Sequence, residues 1–351
     1  MLIEGVFAAI TTPFYADERV YLRKLEANVT RYSRSLLAGM VVLGSTGEAV
    51  ALDDAETREV LRTAANSAAP EKVLVAGIAR ESVKATVELA EAAASFRYDA
   101  VLVRTPRYYA PQLTRAAVLH YFRSVADRSP LPVLLYHIPK FVPYDFPVEV
   151  VAELAQHPNI IGIKDSSGDV KRVSAMIEAT RSAPRRTVSV TPIFEAVTAR
   201  MIAPKANPEG GFVSVADLGG SVAVATPPSA APVKTRTKEV GFQVLAGSAG
   251  TLFESLETGA AGAVLAFAAC APQACQEVYL AWKDRDPNLA REKQQRIAAV
   301  GQRIAGDLGI SGIKAACDFN GYYGGRARAP LLPVNPDQRA EIETLLAGIR
   351  N

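Results

Sequence analysis

One pattern constrains this chain more than any other. A short apolar run is followed by a longer stretch of helical periodicity, and the alternation repeats eight times. The apolar runs fall at 5–14, 39–43, 72–79, 100–104, 132–135, 160–163, 242–245 and 262–267. Short apolar runs of this kind read as strands, and apolar residues spaced by three and four read as helices facing a core. The helices are predicted over 22–37, from Asp53 or Asp54 to 67, from Ser82, from near Thr114, and over 147–156, 170–180, 251–258 and 272–283. Asp53 or Asp54 supplies the side-chain oxygen that caps a helix start. Eight strand–helix units in series predict an α/β fold closed as a (β/α)8 (TIM) barrel. An open doubly wound sheet usually carries a Gly-rich phosphate loop after its first strand. Here that strand ends in Thr11-Thr12-Pro13-Phe14.

Two segments fall outside the repeat. Residues 183–240 interrupt it between helix six and strand seven, with strand-like runs at 186–193 and 211–215. A β-rich excursion or a long flexible loop is expected there. An αβ connection leaves the barrel on the face opposite the catalytic one, so no catalytic residue is expected in it. Residues 287–351 read as three more helices, at 289–308, 312–319 and 336–349. The expected organisation is a barrel domain over 1–286, interrupted at 183–240, with a helical appendage over 287–351.

Composition narrows the function. Hydrophobic residues make up 49% of the 351 and charged residues 21%, enough for a large core. A net charge of +3 gives no electrostatic reason to expect nucleic acid or an anionic membrane as partner. The three cysteines form no CxxC pair and the three histidines are scattered, so neither a disulfide framework nor a metal centre is expected. No basic leader or membrane-length apolar run is present, and a cytoplasmic protein is expected.

In such a barrel the chemistry gathers at the carboxyl ends of the strands. Those ends carry Thr11-Thr12, Gly44-Ser45-Thr46-Gly47-Glu48, Tyr108-Tyr109, Tyr136, Lys164 to Ser167, Gly247-Ser248 and Val264. Lys164 closes the apolar run Ile160-Ile161-Gly162-Ile163. Burial disfavours a charged lysine and favours the neutral amine that attacks carbonyls, although a strand-end lysine can also simply reach out to water. A tyrosine nearby can shuttle protons. The Gly-Ser-Thr-Gly turn offers N–H groups and hydroxyls suited to a carboxylate, or it is only a tight turn. Together they suit imine chemistry on a 2-oxo acid.

These motifs, with Pro106 to Tyr109, Tyr136-His137-Ile138-Pro139 and Gly162-Ile163-Lys164-Asp165, resemble the pyruvate-dependent class I aldolases that include dihydrodipicolinate synthase and N-acetylneuraminate lyase. The resemblance covers the whole chain except 183–240. It implies that Lys164 forms the Schiff base, Tyr136 passes the proton, and Ser45 and Thr46 clamp the carboxylate. Tyr109 would complete a proton relay in a neighbouring subunit, and Ser166, Gly247 and Val264 would line the substrate pocket. No cofactor or metal is implied; a homo-oligomer, dimer or tetramer, is.

Synthases of this family usually carry an arginine two residues after the Tyr-Asn-x-Pro motif. Phe141 stands there, after Lys140, and a phenyl ring makes no bidentate carboxylate contact. Other stretches look most like 4-hydroxy-2-oxoglutarate aldolase, including Gln156-His157-Pro158-Asn159-Ile160 and Gly321-Tyr322-Tyr323-Gly324-Gly325. The expected reaction is therefore cleavage of 4-hydroxy-2-oxoglutarate to pyruvate and glyoxylate. A dihydrodipicolinate synthase, a 2-oxo-3-deoxy sugar acid aldolase, and a barrel that binds a 2-oxo acid without catalysis are the alternatives.

Overall fold

Apolar alternation on the strands separates two layers of core, and that separation decides which residues reach the barrel interior. The computed structural model describes residues 1–202 and 234–349. Eight parallel strands close into a barrel: β1 (Gly5–Ala9), β2 (Gly39–Val42), β3 (Val73–Gly77), β4 (Ala100–Arg104), β5 (Val133–His137), β6 (Ile160–Asp165), β9 (Gln243–Ala246) and β10 (Gly262–Leu265). The barrel closes through pairing of β1 with β10, and β9 follows β6 directly. Phe7, Val41, Val75, Leu102, Leu134, Ile161, Leu245 and Val264 form the inner cluster. Their strand neighbours, among them Val6, Val42, Leu74, Val101, Leu135 and Ile163, pack outward against the helices.

The helices of the repeat are α1 (Leu22–Ser33), α2 (Asp54–Ser67), α3 (Val83–Ser95), α4 (Arg115–Arg128), α5 (Val148–Leu154), α6 (Val170–Ala179), α8 (Leu252–Glu257) and α9 (Pro272–Lys283). Asp53 caps α2 with Glu56 in a reciprocal capping box, and Ser82 and Thr114 cap α3 and α4. The barrel read from the sequence is thus the barrel observed.

The 183–240 excursion is in part β structure. β7 (Arg186–Val190) pairs antiparallel with β8 (Arg236–Val240), and a one-turn α7 (Ala199–Ile202) precedes the undescribed stretch. The run expected at 211–215 lies outside the described residues. The described part sits under the amino-terminal end of the barrel, as expected of an αβ connection. Val188, Val190 and Val240 pack on Leu2, and Arg186 donates to the carbonyls of Ile161 (3.1 Å) and Gly241 (2.8 Å). The buried Asp99 accepts from the Ala199 amide at 2.7 Å and pairs with Arg200 at 3.4 Å.

The appendage comprises α10 (Pro287–Gly301), α11 (Gly309–Phe319) and α12 (Pro336–Leu346). A continuous helix to residue 308 was expected. Instead, α10 ends at Gly301, residues 302–307 form a π-helical stretch, and Gly309 turns the chain at φ 63°. Ile297, Ile304, Ile313, Ile342 and Leu346 belong to the same core cluster as the outer face of the barrel. The appendage therefore shares the barrel's core, and α11 is carried over the barrel mouth.

Candidate active site

Pairing between β5 and β6 sets the central geometry. Val133 pairs with Ile160, but Leu134 pairs with Gly162, so Ile161 is an extra residue on β6. Ile161 faces inward and Ile163 outward. Uninterrupted alternation from Ile161 would send Lys164 to the helix side. The bulge resets the parity, and Lys164 enters the barrel directly opposite Tyr136. Its nitrogen lies 4.2 Å from the centre of the Tyr136 ring. Lys164 is 4% exposed and Tyr136 6%. Among the described residues, no carboxylate approaches the Lys164 nitrogen within ion-pairing distance.

The outward neighbours of this pair form a brace. His137 pairs with Asp165 in the same register, and His137 Nδ1 lies 2.8 Å from Asp165 Oδ2. Arg172 Nε, from α6, donates to that oxygen at 2.9 Å. The Ser167 amide donates to Asp165 Oδ1 at 2.9 Å, and the Ser167 hydroxyl donates there too. Burial alone would raise the Asp165 carboxyl, but the hydrogen bonds from His137 and Ser167 outweigh it and hold the carboxyl below its ordinary value. Burying a lysine at a strand end thus comes with a carboxylate turned away from it, neutralised elsewhere.

A cavity of about 670 Å³ opens above the pair. Its wall includes Ser45, Thr46, Tyr136, Lys164, Ser166 and Gly247, so six of the residues picked out in the sequence meet in one place. Ser45 to Gly47 form a single 3-10 turn, with Gly47 N bonded to the Gly44 carbonyl at 3.0 Å and the Thr12 hydroxyl to the Gly47 carbonyl at 2.6 Å. Gly247 is required by close approach: a Cβ there would collide with the Ser166 hydroxyl and the Asp165 carbonyl. Its amide donates to that carbonyl at 2.6 Å, locking β9 to the lysine strand.

Two of the expected residues lie elsewhere. Val264 packs in the inner core cluster and is not among the residues lining the cavity. Tyr109 is 61% exposed on the loop after β4, stacked edge-on with Tyr108 at 5.0 Å, and does not line the cavity of its own chain. The cavity also has walls that the sequence did not announce. Gln302, Ala305, Gly306, Ile310 and Ile313 come from the appendage. Lys140 lies at the rim and donates to the Gly306 carbonyl, with Phe141 beside it. A hydrophobic helix face with Gly309 before it was the one signal for this in the sequence.

Fold and site together define a class: (β/α)8 barrels with an enclosed lysine and a tyrosine in register at the carboxyl ends of adjacent strands. The sequence model of the dihydrodipicolinate synthetase family matches residues 2–187 and 228–349, and the chain belongs to that family. It is 39% identical over 191 residues to a 4-hydroxy-tetrahydrodipicolinate synthase of Stenotrophomonas maltophilia, a match spanning 52% of this chain and 61% of that protein. A synthase of the same name from Natronomonas pharaonis is 26% identical over 98% of this chain and 97% of its own. An uncharacterised DapA-like lyase of Halobacterium salinarum is 29% identical over 99% and 94%. Among solved structures, dihydrodipicolinate synthase from Acinetobacter baumannii complexed with pyruvate is 25% identical, with a TM-score of 0.77 over 99% of both chains. The DapA-2 synthase of Bacillus anthracis shares the fold at a TM-score of 0.78 over the whole of both chains, with 21% identity.

Proposed function

We propose that this protein is a Schiff-base-forming, pyruvate-dependent lyase that cleaves 4-hydroxy-2-oxoglutarate to pyruvate and glyoxylate. The observation that carries the reading is Lys164: an enclosed amine with no carboxylate partner among the described residues, facing Tyr136 in a cavity walled by Ser45 and Thr46. The Lys164 amine attacks the C2 ketone and water leaves, giving an imine. Protonated, the imine accepts the electron pair of the C3–C4 bond as that bond breaks. Tyr136 gives its phenol proton to the hydroxyl that leaves as water when the imine forms; the resulting phenolate then takes the C4 hydroxyl proton, directly or through water, and glyoxylate departs. The enamine is then protonated at C3, and hydrolysis frees pyruvate and the lysine. Ser45 and Thr46 hold the C1 carboxylate with their hydroxyls and the unbonded first amides of their turn. Tyr109, exposed beside the barrel mouth, is assigned to the site of a second copy of the chain in a cytoplasmic dimer or tetramer.

A second reading, ring-forming condensation of pyruvate with an amino aldehyde acid, draws support from the names of the relatives. Phe141 weighs against it, because an aromatic ring in the cavity wall cannot hold the second carboxylate. A substrate panel separates the two. Release of glyoxylate from 4-hydroxy-2-oxoglutarate supports the first reading. Consumption of aspartate semialdehyde with pyruvate, or cleavage of a 2-oxo-3-deoxy sugar acid, without glyoxylate release would replace it.

A further inference from the structure

A second enclosed lysine lies behind the carboxylate-binding turn, and the proposed reaction makes no use of it. Lys314 Nζ, on α11, lies 2.5 Å from Glu48 Oε1, and both side chains are closed to solvent. The contact is a buried ion pair. Glu48 Oε2 accepts from the Arg328 amide at 2.8 Å. Lys314 Nζ also donates to the Arg326 carbonyl at 2.7 Å and sits 4.4 Å above the Phe14 ring. Burial lowers the affinity of this amine for its proton, and Glu48 opposes that.

Glu48 is the residue that ends the Ser45–Gly47 turn, and it does so at φ 54°, in the left-handed region. A non-glycine residue held there persists where its surroundings over-determine it. The surroundings in this case are the appendage: Lys314 on one carboxylate oxygen and the 326–328 segment on the other. A buried ion pair is a poor way to gain stability, because desolvation offsets most of the attraction and an apolar pair would dock α11 as well. What an apolar pair would not do is fix the orientation of Glu48. The same helix presents Ile310 and Ile313 to the cavity whose wall contains Ser45 and Thr46.

We infer that Glu48 and Lys314 are positioning residues for 2-oxo acid binding: their ion pair sets the Ser45–Thr46 turn against the cavity from the appendage side. The inference rests on the reading that this turn holds the substrate carboxylate.

The test is a pyruvate titration of borohydride trapping, which gives a half-saturating concentration and a maximum label, with thermal melting alongside. Glu48→Gln keeps the shape and the Arg328 contact but loses the charge. Its half-saturating pyruvate is expected to rise by about tenfold, with the maximum label unchanged. Asn320→Ala is the stability control, since it removes a 2.8 Å bond from the end of α11 to the Cys270 carbonyl without touching Glu48. It is expected to melt earlier and titrate like the wild type. Lys314→Met strands a carboxylate and can fail to fold. The double variant Glu48→Gln/Lys314→Met buries no charge and is expected to fold, still with the raised half-saturation. If Glu48→Gln and the double variant both titrate within about twofold of wild type, the pair is only structural and the inference is overturned. A wild type that takes no label removes the lyase reading and this inference with it.

Discussion

Tyr136 and Lys164 are direct cross-strand partners, and a single extra residue on β6 makes them so. The pair faces the barrel interior with the lysine nitrogen 4.2 Å from the ring centre. Their successors, His137 and Asp165, face the helices and bond to each other at 2.8 Å. The cavity pair inside and the brace outside are thus two faces of one strand pairing.

Removing the phenol hydroxyl separates imine formation from bond cleavage. Tyr136→Phe keeps the ring beside Lys164 but cannot carry a proton. Steady-state turnover is expected to fall by about 10²- to 10³-fold, while borohydride still labels the protein with pyruvate. Unchanged turnover in Tyr136→Phe would remove the phenol from the proton path.

The brace predicts an acid limb. The Asp165 carboxyl titrates below its ordinary value of 3.8 when folded. A depressed carboxyl stabilises the fold above the unfolded pKa and loses that contribution as pH falls through the folded one. Asp165→Asn should therefore melt earlier than wild type at neutral pH and approach it below about pH 4, in thermal melts across pH. Equal melting differences at both pH values would contradict the charge account of this network.

Among the described residues, Lys140 is the cation at the cavity rim, and under the proposed reaction it is placed to meet the leaving carboxylate as a charge. Lys140→Met is expected to raise KM for 4-hydroxy-2-oxoglutarate by about tenfold and leave pyruvate trapping unaltered. Steady-state kinetics and trapping on the same preparation decide it.

The excursion under the barrel is predicted to act on stability alone. Arg200→Ala leaves Asp99 buried without its ion partner and should cost about 3 kcal/mol in denaturant unfolding. The half-saturating pyruvate is expected to stay at the wild-type value.

Barrel, strand order and the residues that meet at the cavity were legible because each rests on local pattern: apolar runs, caps, and residues at strand ends. Lys164, Tyr136, Ser45 and Thr46 could be picked out for that reason. The β6 bulge was not legible, since Ile160-Ile161-Gly162-Ile163 reads as a continuous apolar run whichever way its members face. Nor was the Glu48–Lys314 pair, which joins distant parts of the chain through a packing that no local periodicity encodes. The appendage helices were visible as helices, but their part in the cavity wall depends on the turn at Gly309 and the π-helical stretch before it. Val264 was expected at the site from its strand end and from the family resemblance; it packs in the inner core cluster and is not among the residues lining the cavity.

The proposed chemistry turns on a covalent bond between Lys164 and a keto carbon. Reduction of the protein with borohydride in the presence of pyruvate, followed by peptide mass mapping, tests it directly. The expected result is a pyruvate-derived mass increase on the peptide containing Lys164, absent without pyruvate and absent in Lys164→Ala, which also loses turnover. An adduct on another lysine, or full turnover without any trapped adduct, would contradict it.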